Sequence, residues 1–211
     1  STTAQAGSPK LSVKKFINGR DEHAVVKPGE DMVITYRLTN EGAVRIDGIR
    51  LSDAVKEDNA DLQRRIDAQL GKVAPIALEP GESRDVTVTV PAPAGRHDDT
   101  VNVTVPPVTI PGTMVPGTTN NTTTVPATTV PPTVVTVTAP PDDAATDSVE
   151  LKIKKYIRGV DGVWRDAEDA KDAAPVNTDG TMDLRYVITN TGSLPLSGVV
   201  LTDTVAEMED R

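Results

Sequence analysis

Apolar and polar residues alternate along most of the chain in short runs. Met32, Ile34, Tyr36 and Leu38 alternate with Val33, Thr35 and Arg37, and the first set reads as a buried strand face. Leu11, Val13 and Ile17 share one phase, as do Ile49, Leu51 and Val55, with Ile46 opening another alternating run before them. Val86, Val88 and Val90 alternate with Thr87 and Thr89. Turn residues separate the runs: Asn18-Gly19, Pro28-Gly29, Glu41-Gly42 and Pro80-Gly81. One segment has helical spacing instead. Leu62, Ile66 and Leu70 recur every four residues, Asp58 or Asn59 stands at the N-cap position, and Gly71 follows the end. This predicts an all-β fold of antiparallel sandwich type, with one short helix lying across an end and joining the two sheets.

The pattern occurs twice. Leu11–Ile17 matches Leu151–Ile157, Asp31–Asn40 matches Thr181–Asn190, and Gly48–Asp53 matches Gly198–Asp203. The order is kept and the offset is nearly constant, with extra residues of the second copy falling in the charged, turn-rich stretch 161–179. Tandem homologous domains follow. The expected organisation is a flexible N-terminus (1–9), a first sandwich (10–139), a linker (140–148) and the N-terminal part of a second sandwich (149–211). Copy two ends eight residues after Asp203, whereas copy one runs about 85 past Asp53. The chain therefore reads as a piece of a longer repeat protein, or as a last domain completed by another segment.

Residues 100–141 hold 14 Thr, 10 Val and 9 Pro and no charged side chain, a composition that by itself suits an extended stalk. Val101–Val105 and Val134–Thr138 nevertheless look like strands. The preferred reading is a final hairpin whose long tip is 106–132, with a simple stalk as the other reading.

Composition narrows the function. The net charge is −9, and aromatic residues make up 2% of the chain. There is no basic face for nucleic acid or anionic lipid, and little to stack against bases or sugars. No apolar run approaches the roughly 20 residues of a membrane span. With no Cys and two His, thiolate nucleophiles, zinc–thiolate sites and His-based catalysis have almost nothing to work with. No cofactor site is expected, and no enzyme activity. His97, beside Asp98 and Asp99, reads as a polar loop residue. Asp98, Asp99, Asp142 and Asp143 are weak candidates for calcium, better explained as solvated turns. Asn102-Val-Thr104 and the overlapping run Asn120, Asn121, Thr122, Thr123 fit the glycosylation pattern.

The blocks Tyr36-Arg-Leu-Thr-Asn40-Glu-Gly42, Leu51-Ser-Asp53, Leu78–Val90 and Tyr186–Asp203 resemble a bacterial cell-surface family of Ig-like repeats. The resemblance implies β-sandwich modules strung along exported adhesins or envelope stalks. Ala4-Gln-Ala6 resembles the end of a signal peptide and adds weak support for export. Some Gram-positive surface sandwiches crosslink a first-strand Lys to a late-strand Asn beside a carboxylic acid. Lys15 is in phase with Leu11, Val13 and Ile17, and Asp53 with Ile49, Leu51 and Val55, so both point inward. Lys155 and Asp203 are the equivalents in copy two. Asn102 is the candidate acceptor, although it is out of phase with Val101 and Val103. A desolvated Lys is nucleophilic and a buried carboxyl stays protonated, which suits such a bond. The plain alternatives are a Lys15–Asp53 salt bridge near a sheet edge, or Asp53 bonding backbone in a turn.

The functional expectation is a non-enzymatic stalk or fibre segment of a secreted or cell-surface protein. Its partners would be neighbouring repeats and, by strand complementation, other copies of itself. The rival is an adhesive module whose long loops contact a host protein or glycan.

Overall fold

In chain order the first unit comprises β1 (Leu11–Ile17), β2 (His23–Val25), β3 (Asp31–Asn40), β4 (Ile46–Val55), α1 (Ala60–Leu70), β5 (Ile76–Leu78), β6 (Ser83–Pro91) and β7 (His97–Thr104). Then come β8 (Val108–Ile110), β9 (Met114–Val115), β10 (Thr118–Asn120), β11 (Thr123–Val125), β12 (Thr128–Thr129), β13 (Thr133–Val135) and β14 (Asp142–Asp147). The second unit has β15 (Leu151–Arg158), β16 (Trp164–Asp166) and β17 (Asp183–Asn190). The computed structural model describes residues 7–120, 123–168, 178 and 181–204.

The fold is all-β, an Ig-like sandwich. One sheet has the order β1-β3-β6, and the other β2-β14-β7-β4-β5. Pairing is antiparallel except between β14 and β2. The alternation seen in the sequence is the alternation of burial: Met32, Ile34, Tyr36 and Leu38 of β3 face Ile46, Ile49 and Val101 of the opposite sheet inside one core. Burying faces of this kind is the main favourable term in folding.

Helix α1 is capped by the Asn59 side chain, which accepts from the Leu62 amide, and it buries Leu62, Ile66 and Leu70. It packs on β4 and on β6, one strand from each sheet. Two glutamines finish strand edges there. Gln63 donates to Asp53 O at 2.7 Å and accepts from Val55 N at 2.9 Å; Gln69 donates to Thr89 O at 2.7 Å and accepts from Thr89 N at 3.1 Å. Each side-chain amide replaces a missing strand, so backbone groups at the sandwich end stay paired.

Two expectations are corrected here. Residues 142–147, taken from composition as linker, form β14, inserted between β2 and β7. Only residues 148–150 separate β14 from β15. The Val101 strand also does not form a hairpin with 134–138. Instead β7 pairs with β4 and β14, and the Thr/Pro stretch is a ribbon of its own: β8 pairs β13, β9 pairs β12 and β10 pairs β11. Prolines interrupt this ladder into two- and three-residue pieces because they donate no hydrogen bond.

The Thr-Asn-x-Gly motif of both copies has one structural job. Asn40 is fully buried; it donates to Val44 O at 2.8 Å and Leu78 O at 3.0 Å and accepts from Gly42 N at 3.0 Å. Asn190 repeats two of these bonds, to Leu194 O and from Gly192 N. The glycine is required by close approach: a Cβ on Gly42 would lie 2.4 Å from Lys10 N, and one on Gly192 2.4 Å from Ser148 O. Replacing Asn40 by Ala takes the donor from the Val44 and Leu78 carbonyls, while the Gly42 amide keeps Lys10 O. The expected loss is roughly 2–4 kcal/mol in denaturant unfolding. A variant as stable as the parent would show that water or a backbone shift replaces those bonds.

Candidate functional site

Lys15 lies in the middle of β1, with alternate neighbours Val13 and Ile17 on the same buried face. Strand periodicity therefore drives its ammonium between the sheets, where it is fully excluded from solvent. Two carboxylates meet it. Asp53 of β4 approaches to 2.6 Å through Oδ2, and Asp99 of β7 contacts it through Oδ1. The Asp99 contact is an ion pair outside hydrogen-bonding geometry, and Asp53 Oδ1 also lacks a hydrogen-bond donor among the described residues. Tyr36 of β3, opposite Lys15 in the register, donates its hydroxyl to Asp53 Oδ2 and places its ring 5.5 Å from the ammonium. On the far side His97 Nε2 lies 3.0 Å from Asp99 Oδ2, and His97 Nδ1 contacts Glu57. The Lys15 backbone amide donates to Asp142 Oδ2 at 2.7 Å, tying β1 to the start of β14.

Charge explains the proton inventory. One buried ammonium cannot neutralise two buried carboxylates, and a net charge in a core is costly. A second proton is therefore held nearby. Burial, reinforced by the charge on Asp99, raises the Asp53 pKa against the pull of Lys15. Burial would also raise Asp99, but the His97 hydrogen bond and the Lys15 charge outweigh it and hold Asp99 below its ordinary range. For His97, burial favours the neutral ring, yet Asp99 and Glu57 prevail and raise its pKa. Tyr36 is pushed far up by burial and by the neighbouring Asp53 charge, so it stays a donor.

Of the sequence-derived candidates, Lys15 and Asp53 come together and Asn102 does not. Asn102 is exposed, paired across the ladder with Ser52, its amide 3.4 Å from Thr100 O. The side chain facing Lys15 from β7 is Asp99, three residues earlier and on the opposite face. His97 is corrected likewise: it is a buried strand residue, not a loop. Both were detectable, because the phase of Val101 and Val103 extends back through Asp99 to His97.

The four calcium candidates are engaged separately. Asp99 holds Lys15 and His97, and Asp142 takes the Lys15 amide. Asp98 pairs with Arg96, and Asp143 with Lys56 and Thr100. Among the described residues no group of three or more His, Asp or Glu converges on a metal-sized site. Asn121 and Thr122 lie outside the described residues, as do the side chains of Asn120 and Thr123.

Copy two rebuilds part of the cluster. Lys155 Nζ lies 2.6 Å from Asp203 Oδ2, Tyr186 donates to the same oxygen, and its ring is 5.7 Å from the ammonium. Here the Lys155 and Asp203 side chains are about one-third exposed.

Two outcomes follow for the chain without a covalent link at this site. Replacing Lys15 by Met leaves the carboxylates uncompensated and should cost roughly 3–5 kcal/mol in denaturant unfolding; a neutral result would mean the cluster is held by protons alone. His97, with its pKa raised on folding, contributes stability fully below about pH 6.5, lost as pH rises through the folded value. Asp99, lowered, contributes above the ordinary carboxylate range and loses that contribution in acid. Asp53, raised, works against stability as pH rises through its own range. The unfolding temperature should therefore fall on the alkaline side, and His97→Gln should flatten the part of that limb owed to the imidazole. An unchanged limb would remove His97 from the network.

No protein-family model matches the chain, and no curated protein matches it. Solved structures resemble it at the level of fold. The CARDB domain of the PF1109 protein from Pyrococcus furiosus, solved in complex with di-metal ions, is 16% identical over 61% of this chain and 88% of its own, with a TM-score of 0.34. The ASH/PapD-like domain 7 of human CEP192 is 14% identical over 71% of this chain and 91% of its own, with a TM-score of 0.32.

Proposed function

We propose that the chain is a non-enzymatic structural segment of an exported bacterial surface protein, with Ig-like units in series acting as a stalk. One observation carries this reading. The most buried polar groups do not open to a substrate; they tie β1 and β3 of one sheet to β4 and β7 of the other. A charged lock of this kind suits a module that must resist being pulled apart.

The same groups can make the lock covalent, with Asp99 in the place expected for Asn102. The Lys15 ammonium passes a proton to Asp53, and the neutral Nζ attacks Cγ of Asp99. A C–N bond forms and one C–O bond breaks. His97 supplies a proton to the departing oxygen, which leaves as water with a second proton from the attacking nitrogen, and the proton on Asp53 restores His97. The net change is one ammonium and one carboxylate becoming one amide and one water, with no oxidant or metal. It removes two opposite buried charges, and Asp53, whose proton affinity is raised, carries the proton only between the first transfer and the last.

Intact-mass measurement on the folded chain, followed by peptide mapping, tests this. The expected result is loss of one water, located in a branched peptide joining Lys15 to Asp99 and absent from Lys15→Arg and Asp53→Ala variants. An unmodified mass would overturn the amide and leave an ion-paired sandwich. A stalk with the amide should also fail to extend between Lys15 and Asp99 under mechanical load.

A second reading has its own observation. The β8–β13 ribbon packs on the core through Val108 at its base and exposes Met114, Val115, Val125 and Val130 beyond it. Exposed apolar residues on a projecting ribbon suit adhesion to a host protein or glycan. Deleting 111–130 should leave the sandwich folded, and lost surface adhesion would favour this role over a spacer.

A further inference from the structure

The Thr/Pro ribbon of the first unit has a five-residue period. Val108-Thr-Ile-Pro-Gly112, Thr113-Met-Val-Pro-Gly117, Thr123-Thr-Val-Pro-Ala127 and Thr128-Thr-Val-Pro-Pro132 share one pattern, an extended triplet closed by Pro and one further residue. Each outgoing piece meets a returning one over two or three residue pairs: β8 with β13, β9 with β12 and β10 with β11. Between these rungs the two backbones touch. A Cβ on Gly112 would collide with Val130 O, and one on Gly117 with Val125 O. The ribbon is therefore a built, repeating structure, but a weak one. A two-stranded ribbon is marginally stable by itself. This one has no charged side chain to form an ion pair, and residues 111–119 and 124–134 are all exposed.

We propose that this ribbon, together with β14, is the yielding element of the first unit: under tension along the chain it unravels before the sandwich does and lengthens the unit without opening its core. The inference rests on the reading of the chain as a stalk under load, and not on the amide. The path of the load carries it. Force enters through β1 and leaves through β14, which only residues 148–150 separate from β15. β1 is anchored by the buried side chains of Leu11, Val13, Lys15 and Ile17 and by the Lys15 contacts with Asp53 and Asp99. β7 is paired with β4 at six positions, from Thr104 opposite Arg50 to Asp99 opposite Val55. Between Asp99 and β14 the covalent path runs out along the whole ribbon and back. β14 is held less firmly than the strands around it. Its three fully buried side chains are Ala144, Ala145 and Thr146, whereas β3 buries Met32, Ile34, Tyr36 and Leu38, so little apolar area is exposed when β14 departs. Its Asp143 partners, Lys56 and Thr100, are exposed. The pairs nearest its loaded end are Asp147 with Val25 and Thr146 with His97. A load applied beyond Asp147 meets the ladder from that end and opens it pair by pair. Once β14 is free, only the short rungs of the ribbon resist, and local opening of the weakest element precedes global unfolding.

The test is single-molecule stretching of the full chain. The sequence has no cysteine, so Lys10→Cys and Glu150→Cys attach handles at those two positions alone, and the load crosses only the first unit. The first event, at low force, should release residues 105–147 and add about 150 Å, at roughly 3.3–3.6 Å per extended residue, and it should reverse on relaxation. In a chain lacking 111–130 the same event should be shorter by about 70 Å. With the second handle moved to Thr104→Cys, the ribbon leaves the load path and the event should vanish. A separate, later gain of about 290 Å from the block between Lys15 and Asp99 is expected only where no amide joins them, so the fate of the covalent lock is read independently. Three results would overturn the proposal: the sandwich block extending first, a first event whose length is unchanged by the deletion, or a first event that persists with the handle at Thr104.

Discussion

A single ammonium without water organises the first unit. Lys15 must sit between the sheets because strand alternation allows no other direction at that position, and an unpaired charge there would outweigh what its neighbours gain by burial. That constraint reaches four strands. β4 and β7 must each bring a carboxylate to the same point, β3 must bring a hydroxyl, and the sheets must be in register for all three to arrive. Apolar packing alone tolerates sliding and repacking; a closed set of charges and hydrogen bonds does not. The cluster therefore acts less as a source of stability than as a specification of which strands lie opposite one another.

This division of labour explains what the sequence disclosed. The sandwich, the helix and the inward direction of Lys15 and Asp53 were legible because each rests on local periodicity. Tyr36 was legible as core, but its hydroxyl bond to Asp53 joins strands on different sheets and left no local trace. Asp99 and His97 were hidden by composition: an Asp pair beside a glycine-containing turn looks like a loop, although the alternation of Val101 and Val103 runs straight back through them. Strand β14 was the least legible element. Ala144, Ala145 and Thr146 are all buried, so the two-residue period that marks a half-buried strand is absent. Its parallel pairing with β2 joins residues more than a hundred positions apart, which no local pattern encodes.

The helix and the two asparagines show the same economy at the ends of the sheets. Backbone groups at a strand edge need partners, and a sandwich of unequal sheets leaves several without a neighbouring strand. Gln63 and Gln69 supply amides in place of a strand, and Asn40 and Asn190 bridge the loop that leaves β3 and its counterpart β17. The Thr-Asn-x-Gly signature is thus a packing requirement repeated once per unit. It reports a fold in series, not a binding site.

Comparison of the copies separates what the first sheet achieves alone from what the second sheet adds. β15 and β17 pair in the same register as β1 and β3, and Lys155, Tyr186 and Asp203 meet as their counterparts do. The Lys–Tyr–Asp set is thus common to both units, and in the first unit β7 brings a second carboxylate to the buried ammonium. Desolvation is what moves the proton affinities of Asp53 and Asp99 in opposite directions, and it is what a nucleophilic lysine requires. In copy two the ammonium keeps partial contact with solvent, and Asp203 is held below its ordinary range by the Lys155 hydrogen bond instead of being raised by burial as Asp53 is. The same three residues are thus a part-exposed ion pair in one unit and a fully buried one in the other.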